Sequence, residues 1–352
     1  MKISAILENF ISEDVSDIFI IAGRPISYRK NDKICSHGEN ILMPEDTNQL
    51  ISEIYTLAHR DMNMLVHSGD DDFSFAIPGQ SRFRVNAYKQ RSSLAAVIRV
   101  IRFELPDYKS LFSPDDVINT GNLPKGLVLV TGPAGSGKST TLACIIDNIN
   151  HTADKHIVTL EDPIEYLYRH DRSIVTQREI QTDTQSYIQA LRAALRQSPD
   201  VILLGEMRDY ETIDVATTAA ETGHLIFSTL HTLGAVNTIE RIIDTFPANQ
   251  QSQMAMQLSL VLQVIISQQF VPDINGNLVP AFEILTLNPG IRNMIRDNKL
   301  PQIDGILYSS MNDPTMISMD TYLINMMRKG IITKETAIMY STNPEMLKKR
   351  LI

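Results

Sequence analysis

The chain reads as an α/β protein. Its core is a mostly parallel sheet with helices on both faces, preceded by a small α+β domain and followed by a helical C-terminal tail. Three observations predict this. A wholly apolar run, Gly126–Thr131, is followed at once by Gly132-Pro133-Ala134-Gly135-Ser136-Gly137-Lys138-Ser139-Thr140 and then by a helix-like stretch. From Leu127 onward, strand-like and helix-like segments alternate. Before about residue 103, helical stretches and a strand hairpin occur without that alternation.

Ile3, Ile6, Leu7 and Phe10 recur at helical spacing and predict an opening amphipathic helix. Residues 15–21 are strand-like, and Ala22-Gly23-Arg24-Pro25 turns them into a second extended piece at 26–29. A helical stretch covers about 46–66. Residues 73–77 and 82–88 alternate in strand fashion around the turn signal Pro78-Gly79, which predicts a hairpin, and 94–101 is a further strand. Residues 1–103 are therefore expected to form the α+β domain. Leu105-Pro106-Asp107 begins a less regular stretch, with a short helix opening at Ser113-Pro114, so 104–122 is read as a linker.

Residues 123–352 form the second domain. Strands are expected at 127–131, 157–160, 201–204 and 225–229, and helices after the glycine-rich loop, at 184–197 and at 210–222. Beyond about Pro247 the chain reads as helical. Met254, Leu258, Leu262 and Ile265-Ile266 place apolar residues along 250–269, and short helices follow from Met319. The methionines there are read as core filling.

Composition narrows the function classes. At 352 residues the chain has room for roughly two domains of about 150 residues each. No apolar stretch of about 18 residues exists, so no transmembrane segment is expected. The N-terminus lacks the pattern of a secretion signal. Cys35 and Cys144 are far apart and make no metal pattern, which fits a reducing cytosol. A net charge of −9 with no basic run argues against nucleic acid as partner, and so against a helicase or translocase.

The loop carries the most specific chemistry. Gly132-x-x-x-x-Gly137-Lys138-Ser139 behind a strand and before a helix is the pattern of a phosphate-binding loop. Its glycines let the backbone wrap an anion, and the helix that follows points free N–H groups at it. Lys138 can reach the outer phosphates of a nucleoside triphosphate, and the Ser139 hydroxyl can ligate Mg²⁺.

Glu206 closes the strand at 201–204, where a nucleotidase holds Mg²⁺ or its water, or else it caps the next helix. The usual preceding Asp is here Gly205. Glu161, Asp162 and Glu165 crowd the end of another strand, where one can serve as general base, or they form an acidic surface loop. His224 and His231 bracket a buried-looking strand, as γ-phosphate sensors or as structural residues. Arg82 and Arg84 share a strand face, and Arg99 and Arg102 follow. They are either arginines delivered to the phosphates from another domain or subunit, or solvated surface charges.

Taken in order, these boxes resemble those of the hexameric secretion ATPases, and among them the type IV pilus retraction motors. Similar to that family's motifs are the loop at 132–140, the acidic box at 159–165, the variant acidic motif at 205–209, the histidine box at 222–232 and the strand Ser81-Arg82-Phe83-Arg84-Val85-Asn86-Ala87. Pro289-Gly290-Ile291-Arg292-Asn293-Met294-Ile295-Arg296 resembles the helix that marks retraction motors.

The resemblance implies a RecA-like P-loop ATPase core, a PAS-like N-terminal domain, ATP and Mg²⁺ as ligands, and a homo-hexamer. It implies a cytoplasmic location at the inner face of the cytoplasmic membrane, with an inner-membrane pilus platform protein as partner. Residue by residue, it implies that residues 132–140 with Glu161 and Asp162 hold the nucleotide. Glu165 polarises the attacking water, Glu206 positions Mg²⁺, His224 and His231 sense nucleotide state, and Arg82, Arg84 and Arg99 reach the phosphates.

Ser16-Asp17-Ile18-Phe19 lacks a histidine common in the family, and 289–296 departs from it at Pro289-Gly290 and at Arg296-Asp297. A pilus assembly or type II secretion ATPase is the alternative. Such chains carry a further N-terminal domain and a four-cysteine zinc insertion, which two cysteines cannot build. A ring subunit that binds nucleotide without hydrolysing it is a second alternative, against which Lys138, Ser139, Glu165 and Glu206 speak.

Overall fold

The computed structural model describes residues 3–12, 15–30, 33–77, 81–101, 105, 115–309 and 315–351. The Pro78-Gly79 turn, Arg102, Ser113-Pro114 and most of the 104–122 linker lie outside them. The chain divides into two compact units, Met1–Glu104 with Glu165–Leu167, and Leu105–Ile164 with Tyr168–Ile352.

The first unit is an antiparallel sheet covered on one face by helices. Its strands are β1 (Asp17–Ile20), β2 (Ser27–Lys30), β3 (Lys33–Ser36), β4 (Asp70–Ile77), β5 (Ser81–Gln90) and β6 (Ser93–Ile101), in the order β3-β2-β1-β6-β5-β4. Strand alternation decides the core. Phe83, Val85 and Ala87 of β5 are buried against α1 (Ile3–Ser12), α2 (Pro44–Leu57) and α3 (Asn63–Ser68), while Arg82 and Arg84 stand on the opposite face. The single helix expected at 46–66 is in fact α2 and α3, parted at His59, whose φ of 50° a helix interior does not allow.

The second unit is built on β7 (Gly126–Thr131), β8 (His156–Glu161), β9 (Ile174–Glu179), β10 (Val201–Leu204), β11 (Leu225–Leu230), β12 (Leu262–Pro272), β13 (Leu278–Thr286) and β14 (Met316–Ile317). The order is β14-β13-β12-β7-β11-β10-β8-β9, parallel from β12 to β9 and antiparallel beyond β12. Helices cover both faces. Leu127 and Leu129 of β7 enter one apolar layer with α6 (Tyr187–Ala194), α7 (Tyr210–Glu221), α8 (Ala235–Asp244) and α9 (Gln251–Val261). Val128 and Val130 enter the other with α4 (Asp115–Asn119) and α5 (Lys138–Thr152). Strands buried on both faces read as continuous apolar runs, as β7 does.

The C-terminal part needs a correction. The helix expected across 250–269 stops at Val261, and Leu262–Pro272 is β12, a buried strand between β7 and β13. A strand apolar on both faces shows no period of two, so periodicity alone does not separate it from a buried helix. Beyond it lie α10 (Pro289–Arg296), α11 (Pro301–Ser309), α12 (Met319–Arg328), α13 (Lys334–Met339) and α14 (Pro344–Arg350). Met254, Met319 and Met326 are buried, whereas Met256 and Met339 are exposed, so core filling describes only part of the methionine set. No helix among the described residues is long and apolar enough to cross a membrane.

Candidate active site

β7, β11, β10 and β8 run parallel, so their carboxyl ends lie along one edge of the sheet. The chain leaves that edge as the loop 132–137 after β7, as Gly205-Glu206 after β10, as His231 after β11, and at Glu161-Asp162 where β8 ends. In open α/β sheets this edge is where ligands bind.

The loop has the backbone that its glycines predict. Gly132 sits at φ 140° and Gly137 at φ 85°, the latter directly before α5. A Cβ on Gly132 would collide with the backbone carbonyl of Gln268 on β12, so glycine is required there by space as well as by dihedral. Lys138 opens α5 and is buried. Its Nζ donates to the carbonyls of Gly132 and Pro133, each at 2.9 Å, and lies 3.5 Å from His231 Nδ1. Ser139 is exposed in the first turn of α5, and Pro133, Ala134 and Gly135 form the exposed crest of the loop. Thr140 follows Ser139 in that turn.

His231 links the loop to the next strand end. Its Nε2 lies 3.5 Å from Glu206 Oε2. With Nδ1 accepting from the Lys138 ammonium, the ring proton belongs on Nε2, facing the carboxylate. The imidazole therefore spans a cation on one strand's loop and an anion on another's. Glu206 also pairs with Arg208 Nε at 2.7 Å. The turn that carries it is pinned to β11, for Thr229 Oγ1 donates to the Gly205 carbonyl at 2.6 Å. The cap of α7 is Asp209, which accepts from Thr212 N at 2.8 Å, so capping is not the task of Glu206.

Gly205, where an Asp was expected on the usual pattern, has a spatial reason. A Cβ there would lie 2.8 Å from the Tyr187 hydroxyl and 3.2 Å from the Leu160 carbonyl. Tyr187 begins α6 and fills that space. Burial raises its pKa, and the nearby carboxylates of Glu206, Asp162 and Glu161 raise it further, so it stays a neutral phenol.

On β8, Glu161 accepts from Thr159 Oγ1 at 2.6 Å and from Gln177 Nε2 at 3.3 Å. The Asp162–Pro163 peptide is cis. The loop beyond is held from β9, where the buried Glu179 accepts from Ile164 N at 3.1 Å. Glu165 groups with the first unit, together with Tyr166 and Leu167.

Of the other expected site residues, His224 shares the unit of this edge but not its end of the strand, and the arginines belong to the first unit. His224 stands at the amino end of β11, opposite in the strand to His231. Its Nδ1 donates to the Ala219 carbonyl at 2.9 Å, serving the last turn of α7. In the first unit, Arg84 and Arg99 are register partners on β5 and β6. Arg84 makes a two-pronged pair with Asp72, at 3.1 and 2.7 Å, and Arg99 donates to Asp17 at 3.1 Å. Arg82 lies two residues along the same face as Arg84.

One residue that sequence reasoning missed acts directly on the loop. Gln268 of β12 is 1% exposed. Its Oε1 accepts from Thr141 Oγ1 at 2.8 Å, and its Nε2 donates to the Ser136 carbonyl at 2.6 Å. The signal was a pair of amides, Gln268-Gln269, between the apolar runs Val264-Ile265-Ile266 and Phe270-Val271.

Among the described residues no group of three or more His, Cys, Asp or Glu could hold a metal ion. Mg²⁺ favours hard oxygen donors and keeps several waters, drawing on one or two protein ligands and substrate phosphates. The Ser139 hydroxyl and the Glu206 carboxylate fit that need.

Comparison with known proteins gives the family. Residues 1–288 match the family described as Type II/IV secretion system protein. The chain is similar to the type IV pilus retractation ATPase PilT of Pseudomonas aeruginosa, 40% identical over 98% of this chain and 99% of that one. It is also similar to a twitching motility protein of Neisseria gonorrhoeae, 43% identical over 88% of this chain and 84% of that one. Among solved structures, a crystal structure of the pilus retraction motor PilT with bound ADP superposes with a TM-score of 0.90 at 45% identity, covering 99% of both chains.

Proposed function

This chain belongs to the family of Type II/IV secretion system proteins, and from that premise we propose that it is an ATP-hydrolysing motor that powers type IV pilus retraction. The observation that carries this reading is likeness along the whole chain to a pilus retraction ATPase, at 40% identity over 98% of its length. The substrate is ATP and the products are ADP and phosphate. The working form is a homo-hexamer in the cytoplasm, at the inner face of the cytoplasmic membrane, acting on an inner-membrane platform protein.

In this reading the loop 132–137 and the N-terminus of α5 cradle the phosphates. Lys138, now donating to two loop carbonyls, exchanges those bonds for phosphate oxygens. Mg²⁺, held by Ser139 and positioned by Glu206, would neutralise charge on the transferred phosphoryl group. Glu165 polarises the attacking water, with Glu161 and Asp162 supporting. His231 changes partners as the phosphates come and go, and so reports occupancy from Lys138 to Glu206. His224 is assigned to holding α7 and takes no sensor role.

Arg82, Arg84 and Arg99 are assigned to the phosphates when the domains close. Arg84 and Arg99 must then leave Asp72 and Asp17, so closure exchanges one set of ion pairs for another. Loss of phosphate reverses the exchange and gives the stroke.

The test is a pilus count and a surface-movement assay on cells lacking the gene. Excess pili with lost movement support a retraction motor. Bald cells overturn it in favour of a filament-building motor, and an unchanged count overturns it in favour of a secretion role.

A further inference from the structure

We propose that Gln268 is a positioning residue for the phosphate loop: from β12, its carboxamide sets the backbone geometry in which the loop receives a nucleotide's phosphates. The inference rests on the nucleotide-binding reading above and adds to it the group that shapes the loop.

β12 runs parallel to β7 with Ser267 opposite Thr131, which places Gln268 level with Gly132, the first residue of the loop. The two meet so closely that no side chain fits at Gly132. At the loop's other end, the Gln268 amide uses both of its halves. It donates to the Ser136 carbonyl at 2.6 Å and accepts from Thr141 Oγ1 at 2.8 Å, tying the last loop peptide to the first turn of α5.

A peptide unit is planar, and its C=O and N–H point to opposite sides when trans. Drawing the Ser136 carbonyl toward β12 therefore holds the Gly137 N–H facing away from β12. Gly137 directly precedes α5, where backbone N–H groups bind anions. Gln268 is 1% exposed, so it acts through the loop and does not touch the ligand. A neutral amide suits the post, because a carboxylate could not donate to the Ser136 carbonyl and would be a buried charge.

The next residue supplies a control. Gln269 faces the other side of β12, where its Nε2 donates to the Tyr340 carbonyl at 2.9 Å. Its bond is of the same kind but serves the C-terminal helices.

The experiment titrates fluorescently labelled ADP with Mg²⁺ against the full chain and records melting with and without ADP. Gln268→Met keeps the length of the side chain and removes both bonds. It should weaken ADP binding on the order of tenfold or more and shrink the rise in melting temperature that ADP produces. Thr141→Val removes one bond and should weaken binding severalfold. Thr141→Val with Gln268→Met should be no weaker than Gln268→Met alone, because the shared bond is already gone. Gln269→Met should lower the melting temperature without ADP and leave ADP affinity within about twofold.

A Gln268→Met protein that melts lower but binds ADP like wild type makes the residue architectural and overturns the proposal. If that variant does not fold, an unchanged affinity in Thr141→Val overturns it instead. Wild-type protein that fails to bind ADP overturns the nucleotide reading itself, a different failure from the first.

Discussion

His224 and His231 are the same side chain at the two ends of one six-residue strand, β11, and they do different work. The strand is about 20 Å long at ~3.3 Å per residue. At its amino end His224 donates to the Ala219 carbonyl and finishes α7. At its carboxyl end His231 stands between Lys138 and Glu206. What separates them is strand direction. The parallel strands all deliver their following loops to one edge, so polar residues just beyond a strand meet one another, while those just before it meet the ends of the preceding helices. A residue's chemistry here follows from the end of the sheet it occupies.

That contrast is broken or sharpened by substitution, starting with the largest effect. Lys138→Ala at the carboxyl edge should lower the rate of phosphate release by on the order of 10²-fold or more, as loss of a preorganised electrostatic group does. Residual release within threefold of wild type would mean that hydrolysis does not depend on this loop. Glu206→Gln keeps the shape and removes the charge that faces His231 and Arg208. A fall in kcat on the order of 10-fold to 10²-fold is expected, with KM changed far less. A raised KM with kcat unchanged would place the residue in binding alone.

The smallest effect comes from a carboxyl with no place at the edge. Glu283 on β13 is buried, and burial raises its pKa above the ordinary 4.5 against the opposing bonds from Ala235 N and Met319 N. Between 4.5 and its higher folded value, the native state keeps a proton that the unfolded chain has lost. Stability therefore falls as pH rises through that window and is flat below it. Glu283→Gln should flatten the slope, read as unfolding midpoint against pH, without altering phosphate release per folded molecule. An unchanged slope would assign the pH dependence to other groups.

The sequence carried the α/β fold and the strands of the parallel sheet because both are local signals. A buried apolar run, a glycine-rich turn and an amphipathic helix can be read in order. Lys138 could be named from the glycine-rich loop behind β7, and Glu206 and His231 because each follows closely on a buried strand. β12 was misread as helix because burial on both faces erases the strand period, and with it went the chance of seeing Gln268, whose partners Ser136 and Thr141 lie 132 and 127 residues away. Gly205 and Tyr187 explain each other only in space. The two histidines looked alike because a sequence shows which strand a residue flanks, while the role depends on what the neighbouring strands bring to that end.

The measurement that reaches the central claim most directly is phosphate release by His231→Ala and His224→Ala, compared at equal amounts of folded protein. The account predicts that His231→Ala loses about tenfold or more in kcat. It predicts that His224→Ala keeps kcat within about twofold and loses on the order of 1 kcal/mol of stability with its hydrogen bond. Equal losses at both positions, or a loss at His224 alone, would contradict the claim that the carboxyl edge of the parallel sheet carries the chemistry.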